Sequence, residues 1–147
     1  MLMSPSGQGP EQDTVASSST DSLTQSCFIE LHALMHKSPA VRFACLSLAD
    51  GRPFAFAGTA DARLAPRIAA IAASLLGLSE SFAKETQNGR CAHTTISCDH
   101  GSTIVVKVAA RTRAMVLSVS ADRSENLAMV LRRTLDTAER VALHIDG

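Results

Sequence analysis

The sequence predicts an α+β domain in which three helices pack on one antiparallel sheet. Two observations carry that expectation. Apolar residues recur with helical spacing in three separate segments. The segments between them are β-patterned, two runs joined by Asp50-Gly51 and then three runs with short polar links. The order helix, two strands, helix, three strands, helix implies a sandwich built on a single antiparallel sheet.

Taken in order, residues 1–20 read as a flexible N-terminal tail. Ser4 to Thr20 is rich in Ser, Gly, Pro and Gln and has little to bury, so few contacts repay the entropy of ordering it. The first helix runs from Asp21 to Lys37. Ser22 and Gln25 have the spacing of a capping box, and Leu23, Cys27, Leu31, Leu34 and Met35 share one face. Ser38-Pro39 stops it, because proline pushes the preceding residue out of the α region and donates no hydrogen bond. Val41 to Ala49 carries apolar side chains on both faces, as a strand covered from both sides does. Asp50-Gly51 is a hairpin signal for a type I′ turn, returning the chain along Phe54 to Gly58.

The middle helix, Ala60 to Phe82, has two apolar stripes. Leu64, Ile68, Ile71, Leu75, Leu78 and Phe82 form the bulky one, read as the face laid on the chain's own sheet. Ala65, Ala69, Ala72, Leu76 and Ala83 form the second, about 100° further round. Its alanines are either simply good helix formers or a surface that lets another helix approach closely. Arg63, Arg67, Ser74 and Ser81 occupy the remaining side. Thr59 or Asp61 caps the start, and Gly77 and Gln87-Asn88-Gly89 mark where the helix weakens and ends. Three strands follow, Arg90 to Cys98, Ser102 to Ala110 and Ala114 to Ser120, with turns at Asp99-His100-Gly101 and Arg111-Thr112-Arg113. Asp122 and Glu125 make a second capping box before a closing helix whose apolar arc runs from Leu127 to Ile145.

Composition excludes several functions. The 147 residues hold 14 Lys plus Arg against 14 Asp plus Glu and neither Trp nor Tyr, so the field and stacking surfaces of a nucleic-acid binder are missing. The start lacks the basic and apolar runs of a signal peptide, and no stretch of about 20 apolar residues is legible for membrane insertion. The expectation is a soluble cytoplasmic protein with Cys27, Cys45, Cys91 and Cys98 reduced. Cys91, His93, Cys98 and His100 invite a zinc reading, but a regular strand turns the two pairs to opposite sides of the sheet, so no metal is expected. No Cys or Ser stands in a strand-to-helix elbow with a base and orienting carboxylate, and no glycine loop ends in Gly-Lys-Ser or Gly-Lys-Thr. The chain therefore reads as a binding module with no catalytic residues and no cofactor. Arg63 and Arg67 are either solvated or able to supply charge to a partner's phosphate site.

The element order, the segment Ala44 to Ala55 (ACLSLADGRPFA) and the closing segment Ser124 to Val141 (SENLAMVLRRTLDTAERV) resemble the roadblock / dynein light-chain family. The resemblance covers Asp21 to Ile145 and marks residues 21–147 as the domain. It implies a five-stranded sheet of order 2-1-5-4-3, roadblock/profilin-like, with two helices on one face and the middle helix on the other. It also implies a dimer whose third strands pair edge to edge and whose middle helices pack together. The interface expected on that basis is Ala65, Ala69, Ala72, Leu76, Thr94 and Ile96. The implied function is regulation of a Ras-like small GTPase in bacterial signalling, polarity or motility, with Arg63, Arg67 and Ser74 as contacts. The alternative is a scaffold subunit of a larger complex with no GTPase dependence. The sequence departs from the family pattern at Ala128, where many relatives have Gly, and at Arg111-Thr112-Arg113, a turn that often contains Gly.

Overall fold

The computed structural model describes residues 10–59 and 61–147. The elements are α1 (Pro10–Lys37), β1 (Val41–Leu48), β2 (Pro53–Gly58), α2 (Ala65–Glu85), β3 (His93–Cys98), β4 (Gly101–Val108), β5 (Met115–Ala121) and α3 (Leu127–Asp146), with a 3-10 turn at Ala62–Leu64 leading into α2. The strands pair antiparallel in the order β2-β1-β5-β4-β3. Helices α1 and α3 cover one face and α2 the other. Residues 1–9 of the expected tail, and Ala60, lie outside the described residues.

Helix α1 starts at Pro10, well before the capping box at Ser22. Proline fits a first helical turn, where its missing N–H has no intrahelical partner to lose. The added turns carry no apolar stripe, so periodicity could not reveal them. The Asp-Gly hairpin forms, but not as a type I′ turn. Leu48 N donates to Arg52 O at 2.8 Å and Gly51 N to Leu48 O at 2.9 Å, closing a three-residue loop. Of its residues only Gly51 has positive φ, at 92°, as in a turn followed by one left-handed residue. Asp50 stays in an ordinary conformation and accepts from Arg52 N instead.

Most of the core lies between the sheet and the α1–α3 pair. Leu46, Ile104, Val108, Met115, Leu117 and Val119 project from alternate strand positions against Leu31, Leu34, Val130 and Val141. Cys27 sits in this layer, and burial, then the nearby Glu30 carboxylate, pushes its thiol up to about 11. Two ion pairs join the helices to each other and to the loop before α3. Arg140 Nε is 3.0 Å from Glu30 Oε2, and Arg133 Nη1 is 2.5 Å from Glu125 Oε2 while donating to Lys37 O at 2.8 Å. The expected Asp122–Glu125 capping box is therefore not what starts α3. Asn126 caps it, accepting from Ala128 N at 2.8 Å, whereas Asp122 folds onto Ser124 and Glu125 is drawn to Arg133.

The Arg111-Thr112-Arg113 turn is held without glycine by a carboxylate from the far end of the chain. Asp146 Oδ1 accepts from Arg111 N at 2.9 Å, Thr112 N at 3.1 Å and Thr112 Oγ1 at 3.0 Å. These bonds, led by the Arg111 amide, hold the Asp146 carboxyl below its ordinary value. A depressed folded-state pKa contributes stability that is fully present above the unfolded value and lost as pH falls through the folded one. Asp146→Asn is expected to remove that contribution at neutral pH and to flatten the acid side of the stability curve, as read by urea unfolding across an acid-to-neutral pH series.

Candidate functional site

The two stripes of α2 face the opposite way from the sequence expectation. Ala69 is 0% exposed, and Ala65, Ala72 and Leu76 are also buried, packed toward the sheet. Leu64, Ile71, Leu78 and Phe82 are 42%, 62%, 69% and 72% exposed, with Ile68 and Leu75 half-buried at the border. The reason lies on the sheet. Its α2 side presents Cys45, Ser47 and Ser118, all buried, at the crossing of β1 and β5, beside Val105 and Val116. Small residues on both surfaces let helix and sheet approach closely, and the bulky stripe is left outside. Ala65, Ala69, Ala72 and Leu76 thus belong to the monomer core and are not available as a dimer interface.

What remains exposed is a ridge of large apolar side chains along α2. It ends at a hollow of about 440 Å³ lined by Leu78, Phe82, Ala83, Thr86, Asn88 and Cys91. Beside it runs β3, the terminal strand of the sheet, whose outer edge has no pairing partner among the described residues. The register pairs Thr94 with Val105 and Ile96 with Thr103, which places Thr94 and Ile96 on the α2 side of β3. Ile96 is 39% exposed. An apolar ridge next to an open strand edge offers both area to bury and backbone groups to pair. With the turn before it, Ala62–Glu85 contains an 18-residue window that is long and apolar enough by composition alone to cross a bilayer, contrary to the sequence reading. Its alanine side is instead laid on the sheet.

The polar flank of α2 is thinly charged. Arg63 Nη2 lies 2.9 Å from Asp61 Oδ2, and Arg63 N donates to Asp61 Oδ1 at 2.9 Å. These bonds from Arg63 hold the Asp61 carboxyl below the usual range. Arg67 and Ser74 are exposed on the same flank. Cys45 is buried beside Ser47, and burial raises its thiol pKa. Cys91 contacts His93 O and Thr94 Oγ1 rather than an imidazole. Among the described residues no group of three or more His, Cys, Asp or Glu is placed to hold a metal ion.

The family model for the Roadblock/LC7 domain matches residues 28–118. The chain belongs to the Roadblock/LC7 family. Solved structures agree with that fold. The Roadblock/LC7 domain from Streptomyces avermitilis superposes with a TM-score of 0.74 at 20% identity, over 82% of this chain and 98% of that one. Myxococcus xanthus MglB gives 0.73 at 15% identity, over 84% and 90%. The gliding protein MglB from Thermus thermophilus gives 0.73 at 15%, over 83% and 90%. No curated protein sequence matches the chain. In this Roadblock/LC7 domain the matched segment contains β1 through β4 and all of α2, so the ridge and the open edge lie inside the family core.

Proposed function

We propose that this Roadblock/LC7 domain is a non-enzymatic, dimeric regulator or adaptor of a Ras-like small GTPase in bacterial signalling, polarity or motility, working in the cytoplasm. The observation that carries the reading is the exposed ridge of Leu64, Ile71, Leu78 and Phe82 beside the unpaired edge of β3. A second copy related by a two-fold axis would cover the ridge and pair β3 with β3, with Thr94 and Ile96 at that seam. The MglB structures among its neighbours, one of them MglB in a tetrameric arrangement, support assembly through more than one copy. Arg63, Arg67 and Ser74 remain exposed next to the ridge and are the proposed contacts to the GTPase. Arg63 already pairs with Asp61, which leaves Arg67 as the freer cation.

That same pairing favours a second reading, a scaffold subunit indifferent to nucleotide, because it engages one of the two proposed cations within the chain. Titrating the protein with a Ras-like GTPase loaded with GDP or with a non-hydrolysable GTP analogue separates the two. The regulator reading expects an affinity difference between nucleotide states that Arg67→Ala reduces. Equal affinity for both states establishes the scaffold reading instead.

A further inference from the structure

On the α2-facing side of β4, Lys107 follows the buried Val105. Val105, two residues earlier, is 1% exposed, and Val116, opposite Lys107 on β5, is 3% exposed. A lysine beside two buried valines is unusual for a sheet face under a helix. Helix α2 ends at Glu85 and the chain loops back through Gln87 to Cys91, so this corner of the sheet is roofed only partly. The result is a hollow of about 830 Å³ lined by Glu80, Lys84, Gln87, Arg90, Cys91 and Lys107, among others. That volume lies within the range of roughly 300–1,000 Å³ usual for small-molecule sites.

Its charge is unbalanced in a chain whose formal net charge is zero. Three cations from three different elements line it, Lys84 from α2, Arg90 from the returning loop and Lys107 from β4. They face one carboxylate, Glu80, whose Oε1 is 3.8 Å from Lys107 Nζ, too long for a hydrogen bond and weak as a pair. Like charges gathered around a concave surface focus a positive potential into it and raise the local concentration of anions. The loop that brings Arg90 over is set by its backbone. Gln87 adopts a left-handed φ of 58°, and Gln87 N and Asn88 N donate to Lys84 O and Ala83 O, closing α2 and turning the chain back.

We propose that this corner binds a small phosphorylated anion of pyrophosphate or nucleoside diphosphate size. Two ammonium groups and one guanidinium match a polyanion with several oxygens, the guanidinium by its fork and the lysines as point charges. The Glu80 carboxylate and Gln87 amide are available to the uncharged part of such a molecule. The site adjoins the hollow at the end of the ridge through Cys91 but takes Glu80 and Lys84 from the other side of α2, and the proposal does not depend on the GTPase reading.

Isothermal titration of the full chain with pyrophosphate, and separately with ADP, tests it. The expected result is saturable binding of one molecule per chain, weakened about tenfold by each of Lys84→Gln, Arg90→Gln and Lys107→Gln, since each removes a charge-assisted bond. Arg132→Gln on α3 should leave it unchanged. Tighter binding of ADP than of pyrophosphate places the nucleoside in the hollow, and equal affinity assigns recognition to the diphosphate; both support the site. The three cations are exposed, so the variants should keep the wild-type melting curve, which circular dichroism checks. Absence of saturable binding to both probes, or an affinity that the three substitutions leave alone, overturns the proposal.

Discussion

Ala69→Glu is expected to abolish cooperative folding. Ala69 is 0% exposed on the sheet side of α2, among small residues packed closely on both surfaces. A glutamate there meets two costs. An uncompensated buried charge costs about 3–5 kcal/mol, and forcing extra side-chain volume into a packed layer adds about 1–3 kcal/mol. Total stability for a domain is about 5–15 kcal/mol, so the sum consumes most or all of it. Far-UV circular dichroism during urea titration is the measurement. A cooperative transition close to the wild-type midpoint would mean that the alanine stripe does not pack on the sheet. The dimer interface expected at Ala69 from the sequence would instead have the same substitution give a folded monomer. Unfolding separates the two assignments of the stripe without any partner present.

The second large effect belongs to the opposite stripe. Leu78→Glu combined with Phe82→Glu should give a folded monomer, in contrast to the dimer proposed for the wild type. In the single chain these side chains are 69% and 72% exposed, so charging them removes little from the monomer's own core. Burying a Leu or Phe side chain contributes about 1.5–3 kcal/mol, and a two-fold interface includes each of them twice. Loss of four such contributions, together with glutamates brought against each other across the seam, shifts the dissociation constant by several orders of magnitude. Light scattering coupled to size exclusion reads the mass directly. A double variant that stays dimeric at the same concentration dependence, or a wild type that is monomeric throughout, would remove the ridge as the interface.

Together these variants distinguish core from docking face on one helix, a distinction that bears on which partners the domain can take. The GTPase contacts proposed at Arg63, Arg67 and Ser74 lie on the flank of the ridge. A dimer through the ridge and the β3 edge would bring two copies of that flank close to one partner.

Much of the architecture is legible in the residues themselves. Ser38-Pro39 ends α1, Asp50-Gly51 joins β1 to β2, and the apolar runs from Arg90 to Ser120 mark three strands, because turn chemistry and period-2 patterning act within a few residues. The order of these elements and the Ala44–Ala55 and Ser124–Val141 segments carry the resemblance to the family whose model matches residues 28–118. Local signals did less well where alternatives competed nearby. Asn126 caps α3 rather than Asp122, since Glu125 is taken by Arg133 from the next turns of the helix. The first turns of α1 left no periodic trace. The anion corner has no counterpart in the sequence expectations, although Lys107 next to Val105 on one strand face was a signal that could have pointed to it.

By itself the sequence determined that α2 has two apolar stripes about 100° apart, a polar flank carrying Arg63, Arg67 and Ser74, and a place between a hairpin and a three-stranded meander. Only the tertiary structure decided which stripe faces inward. A helical wheel records the angles between faces but not the depth of the surface they meet. That depth is set by Cys45, Ser47 and Ser118, from strands far apart in the chain and neighbours only once the sheet has formed. Their small size draws the alanines of α2 down and leaves Ile71, Leu78 and Phe82 on the outside.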